Sequence, residues 1–173
     1  MMRGRKALLP VAVLAILLPP LLAAPSPEPS AAPLQSGGTT TRVSVASDGT
    51  QGDGDCSEPS ISDDGRYVAF YSLASNLVPG DTNDKSDIFV HDRQTGEMTL
   101  VSVASDGTQG NAESDSPFIS TDGRHVVFYS WATNLVPGDT NGQWDIFVHD
   151  RERGETIRVS VASDGTQQER PEP

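Results

Sequence analysis

The string VSVASDGTQG stands at residues 43–52 and again at 101–110, and its first nine residues return at 159–167. Val43, Val101 and Val159 are therefore spaced by 58 residues and 58 residues. The same step carries ISDDGRYVAFYS (61–72) onto ISTDGRHVVFYS (119–130), and NLVPGDTN (76–83) onto NLVPGDTN (134–141). It also carries DIFVHDR (87–93) onto DIFVHDR (145–151). A strict period with no insertion means one supersecondary unit copied, each copy burying against its neighbour a face it cannot bury alone.

The unit reads as β-structure. EPSIS leads to a DDG turn, and RYVAFYS and DIFVHD are short runs of β-branched and aromatic residues, apolar on both faces. After the turn QTGE, MTLVSVAS alternates as a half-exposed edge strand would. Asp-Gly pairs at 48–49, 64–65, 106–107, 122–123 and 164–165 supply the positive φ that tight hairpins require. No stretch of the unit has helical periodicity. The expectation is an all-β chain: two four-stranded antiparallel propeller blades, 59–104 and 117–162, plus one extra outer strand at 42–47, an incomplete β-propeller. A β-sandwich is the alternative. On this reading each VSVASDGTQ copy is the last strand of a blade with its crossing turn, and the first copy is left over from an absent blade.

The run PSISDDGRYVAFYS…NLVPGDTNDKSDIFVHDRQTGEMTLVSV resembles the TolB-type, WD-repeat-like propeller unit of exported bacterial proteins. The match covers roughly 42–165. The resemblance implies a propeller fold and a binding or scaffolding role. Such propellers close with about six or seven blades, and this chain has two. It is then a truncated product, a subunit of a self-assembled ring or a marginal monomer, with truncation first among these. Both end blades would leave a wide apolar face uncovered, so a protein partner or self-association through exposed blade faces is expected.

Around this unit lie three other segments. Residues 1–24 start with Arg3, Arg5 and Lys6 and continue as an apolar run to Ala24, the layout of a secretory signal peptide or an N-terminal anchor. This places the chain outside the cell or in the periplasm or envelope. Residues 25–41 form a Pro/Ser/Gly linker too poor in apolar surface to order itself, and 166–173 a short tail. The chain carries −12, and without the leader's three cations nine basic residues face 24 acidic ones, a net of −15. That charge excludes a nucleic-acid or anionic-lipid partner. The single cysteine, Cys56, has Ser114 as its counterpart and no local cation to activate it.

Two groups of residues are candidate sites. In GDTNDKSD and GDTNGQWD, Asp81, Asn83 and Asp87, and again Asp139, Asn141 and Asp145, occupy relative positions 1, 3 and 7. Oxygen ligands at that spacing wrap calcium, the one cofactor the chain suggests. The alternative is that these residues cap their own turns. Trp131 and Trp144 replace Leu73 and Ser86 of the first copy and offer a surface for a sugar or a partner peptide. His91–Asp92 and His149–Asp150 point to opposite sides of a strand and read as structural. The chain has no nucleophile elbow, phosphate loop or zinc-binding helix motif, so it is expected not to be an enzyme. The leading expectation is an exported, non-catalytic interaction scaffold. The alternative is a calcium- or carbohydrate-binding, lectin-like module built on the duplicated loops.

Overall fold

The structure, a computed structural model, describes residues 38–167. The leader at 1–24, most of the 25–41 linker and most of the tail lie outside the described residues. Eight strands follow in order: β1 (Cys56–Ile61), β2 (Tyr67–Ser72), β3 (Asp87–Asp92), β4 (Met98–Leu100), β5 (Ser114–Ile119), β6 (His125–Ser130), β7 (Asp145–Asp150) and β8 (Glu155–Arg158). They form two four-stranded sheets, β1-β2-β3-β4 and β5-β6-β7-β8, and every pairing is antiparallel between neighbours in the chain. Among the described residues there is no helix. The described residues are all-β, built as two consecutive propeller blades.

Register repeats with the sequence. Tyr67 to Ser72 pair with Asp92 to Asp87, and His125 to Ser130 pair with Asp150 to Asp145. Each β1–β2-type hairpin turns at a glycine with positive φ, Gly65 at 70° and Gly123 at 73°. The turn is held by the preceding aspartate: Asp64 accepts from Arg66 N and Asp122 from Arg124 N. Gly123 also meets a packing demand, because a Cβ there would lie 2.1 Å from the Tyr67 ring of the first blade. Both first strands shift register at a proline, after Glu58 (φ 50°) and Ser116 (φ 52°), since Pro59 and Pro117 have no N–H for the ladder.

Alternation then sorts the side chains. Ala69, Ile88, Val90 and Val101 of the first blade share one core with Ile119, Val126, Phe128 and Phe147 of the second. Hydrogen bonds cross the junction, among them Ile119 N to Ser60 Oγ (3.1 Å), Asp63 N to Thr121 O (3.0 Å) and Ser114 N to Ser86 O (2.8 Å). The Arg151 guanidinium lies 4.3 Å from the centroid of Tyr67. The first blade's other face forms a second core from Val68, Phe70, Phe89 and Met98, closed by Ala74, Leu77, Val78, Val43 and Leu100.

Three expectations are corrected. The fourth strand is shorter than MTLVSVAS: β4 ends at Leu100, although Val101 N still reaches Ile88 O. The segment 42–47 is not a strand; its only ladder contact is the bridge Val45–Gln51, which the 103–109 and 161–167 copies repeat. The two outer faces are also unequal. The leading face of the first blade is closed, because Val43, Leu77 and the residues beside them fold over it. The trailing face of the second blade is open. All six residues of β3 are buried, whereas β7 alternates, because only β3 has a packed neighbour on both sides.

Candidate functional site

The GDTN loops connect the second strand of each blade to the third. In the first blade, Asp87 is fully buried at the start of β3. Its Oδ1 accepts from Ser102 Oγ (2.5 Å), and its Oδ2 from Asn83 Nδ2 and Gln109 Nε2 (both 2.8 Å). Gln109 Nε2 also reaches Asp81 Oδ1 at 2.8 Å. Asn83 Oδ1 accepts from Lys85 N (2.8 Å), the turn-capping bond expected of an Asn. Burial pushes the Asp87 carboxyl up to about 6, partly offset by the donors around it.

The second blade solves the same problem with a cation. Asp145 accepts from Ser160 Oγ and from Asn141 Nδ2 (3.0 Å). Arg158, where the first blade has Leu100, places its guanidinium 2.9 Å from Asp139 and 3.5 Å from Asp145. The Asp139 contact is an ion pair by distance, without the alignment of a hydrogen bond. Burial raises the Asp139 carboxyl, and Arg158 opposes the rise. Asp81, Asn83 and Asp87 are thus brought together, as are Asp139, Asn141 and Asp145, with most of their polar atoms engaged by the chain itself. Among the described residues, no three His, Cys, Asp or Glu side chains converge in a metal-ligating arrangement.

The HDR motifs are structural. Asp92 receives Arg66 through two nitrogens, at 3.0 and 2.7 Å, and Asp150 receives Arg124 at 3.0 and 2.6 Å. Each carboxylate also caps the turn after its strand, accepting from Gln94 N or Glu152 N. The arginines hold both carboxyls well below the usual range. His149 Nδ1 lies 2.8 Å from Thr156 Oγ1, whereas His91 Nδ1 is buried without a partner because Met98 occupies the matching place. Burial lowers the pKa of both rings.

Trp131 and Trp144 adjoin Ser130–Asp145, the last pair of the β6–β7 ladder. Their rings are 6.1 Å apart and tilted by 37°, and Trp131 Nε1 donates to Gly142 O at 3.0 Å. Both are exposed, as are Val127, Tyr129, Ile157 and Val159. These belong to one sheet face: Phe118 pairs with Val127, Tyr129 with Ile146, and Val148 with Ile157. Phe118, 68% exposed, stands on it where the first blade has Ser60. Val159 is 44% exposed on this face, and its copy Val101 is 1% exposed in the inter-blade core.

Sequence reasoning singled out the two tryptophans and missed the sheet they adjoin. A signal was present in the two copies aligned by period. Ser60, Ala69, Leu73, Ser86 and Thr99 become Phe118, Val127, Trp131, Trp144 and Ile157, each change adding bulk or apolar surface.

No family model matches the chain, and no curated protein matches it. Among solved structures it is similar to TolB from Acinetobacter baumannii, at 17% identity and a TM-score of 0.39, over 65% of this chain and 22% of that one. It is also similar to a putative TolB from Agrobacterium tumefaciens, at 16% identity and a TM-score of 0.24, over 64% and 63% of the two chains. The chain therefore spans about a fifth of the first protein's length and under two thirds of the second's. The blade assignment rests on the strand order, the register and the stacked cores.

Proposed function

We propose that this chain is an exported, non-catalytic binding scaffold whose working surface is the trailing face of the second blade. One observation carries the reading: a contiguous sheet face, rich in aromatic and β-branched side chains, stands in solvent where the same face of the first blade is packed. An exposed apolar surface of that extent marks an interaction site. Aromatic anchors such as Trp131, Trp144 and Phe118 are the side chains that dominate binding energy at protein interfaces. The leader at 1–24 supports export.

A photo-crosslinking residue at position 118, in the cells that make the protein, tests this reading. Discrete protein adducts are expected from position 118 and not from Gln94, an exposed site on the other blade. An absence of adducts at 118 refutes the scaffold.

A lectin-like reading is favoured by one feature, the exposed tilted pair Trp131–Trp144. Sugars stack on such rings, and the chain's only two tryptophans would report the event directly. Emission that is unchanged across a panel of glycans removes this second reading.

A further inference from the structure

We infer that the trailing face of the second blade binds the same face of a second copy, giving a closed two-fold dimer; this rests on the scaffold reading above and names its partner. The inner junction shows what a docked blade requires. There the first blade receives the second through Ala69, a side chain with no exposure, and through Ser60 Oγ, which accepts from Ile119 N. At the open end, those two positions are Val127 and Phe118. A blade arriving in the same manner would lose its hydrogen bond at Phe118 and meet added bulk at Val127. The open face is not a vacant copy of the inner junction.

Head-to-tail stacking meets two further obstacles. It needs apolar surface on the leading face of the first blade, and little is left there, with Phe70 and Phe89 at most 3% exposed. The segment 101–109 serves the inner junction alone, bonding Thr156 of the second blade through Ser105 and Asp87 of the first through Gln109. At a junction between copies, 159–167 of one chain and 43–51 of the next would compete for that single place. Ile61, 56% exposed where its copy Ile119 is 2% exposed, is the one large apolar side chain that the closed leading face leaves in solvent. Among the described residues the trailing face is therefore the one broad apolar surface, and a copy meeting it with its own broad surface makes an isologous, self-limiting contact.

The size is adequate. With aromatic side chains covering ~150–250 Å² each, the exposed fractions on this face amount to on the order of 800 Å², about one partner's share of a standard interface. The cross-strand pairs at its centre, Phe118–Val127, Tyr129–Ile146 and Val148–Ile157, carry no charge. Each chain bears −12, so long-range repulsion opposes pairing and added salt tightens it.

Sedimentation velocity on the purified chain, with reductant present so that exposed Cys56 cannot link copies, gives the test. The wild type should sediment as a dimer at micromolar concentration. Dilution should redden its tryptophan emission, since both tryptophans lie on the face. F118S/I157T installs the first blade's residues at two exposed positions and should weaken pairing by at least about tenfold. W144S, also a first-blade residue, should act in the same direction if the double variant melts early. A monomer at every concentration, an open series of larger species, or a dimer indifferent to both variants overturns the pairing. The scaffold reading fails separately: adducts at position 118 to a different protein keep it while refuting the dimer, and no adducts refute both.

Discussion

Ile61 and Ile119 are the same residue at the same place in two copies of one unit, yet one is 56% exposed and the other 2%. Each sits at the end of the first strand of its blade, pairing with Val68 or Val126. Local propensity and strand position are therefore matched, and only packing against a neighbouring blade differs. Replacing isoleucine by alanine removes three carbons, worth about 0.8 kcal/mol each when fully buried. At Ile119 the loss is joined by a cavity among Ile88, Val90 and Phe128, so the total should reach about 3 kcal/mol. At Ile61 solvent already covers more than half the side chain and fills the gap, so about 1 kcal/mol is expected. Urea unfolding followed by circular dichroism measures both, with unchanged m-values showing that the native and unfolded states remain comparable. Equal costs within about 0.5 kcal/mol would refute the shared core on which the two-blade description depends.

Asp87 has a folded pKa of about 6, above its ordinary 3.8, so the folded state holds a proton that the unfolded chain releases. Stability should fall as pH rises from about 4 to 6, by on the order of 2 kcal/mol, and D87N should flatten that slope in urea titrations at each pH. Asp92 and Asp150 act oppositely: their depressed carboxyls lend stability above the ordinary carboxylate pKa, lost as pH falls below it. Arg158→Leu leaves Asp139 and Asp145 buried without their cation, and should cost about 3 kcal/mol at pH 7 and less at pH 4, read as the same unfolding free energy. Calcium should shift the melting temperature little, because Asn83 and Asp87 already spend their oxygens on Lys85 N, Ser102 and Gln109; a saturable heat in calorimetric titration would contradict this.

Much was legible from residues alone. The 58-residue period, the paired β-branched runs and the Asp-Gly turns specify two copies of one four-stranded antiparallel sheet, because alternation and positive φ are properties of the chain over a few residues. The separation of His91 from Asp92 to opposite sides follows from the same alternation. What the loops do was less legible: Asp81, Asn83 and Asp87 fitted caps or ligands, and the reach of Gln109 and Ser102, some 20 residues onward, could not be read from the spacing. The role of Arg158 was invisible, since nothing near it in sequence announces the buried carboxylates it meets.

Only tertiary structure decided which faces are dry. Val101 and Val159 occupy the same place in their units, and so do Ile61 and Ile119, but burial depends on whether another sheet stands alongside. The chain closes its first face with its own 43–52 segment and nearby loop, and leaves its last face open. Local sequence sets the direction in which a side chain points. What it points at is a property of the assembled stack.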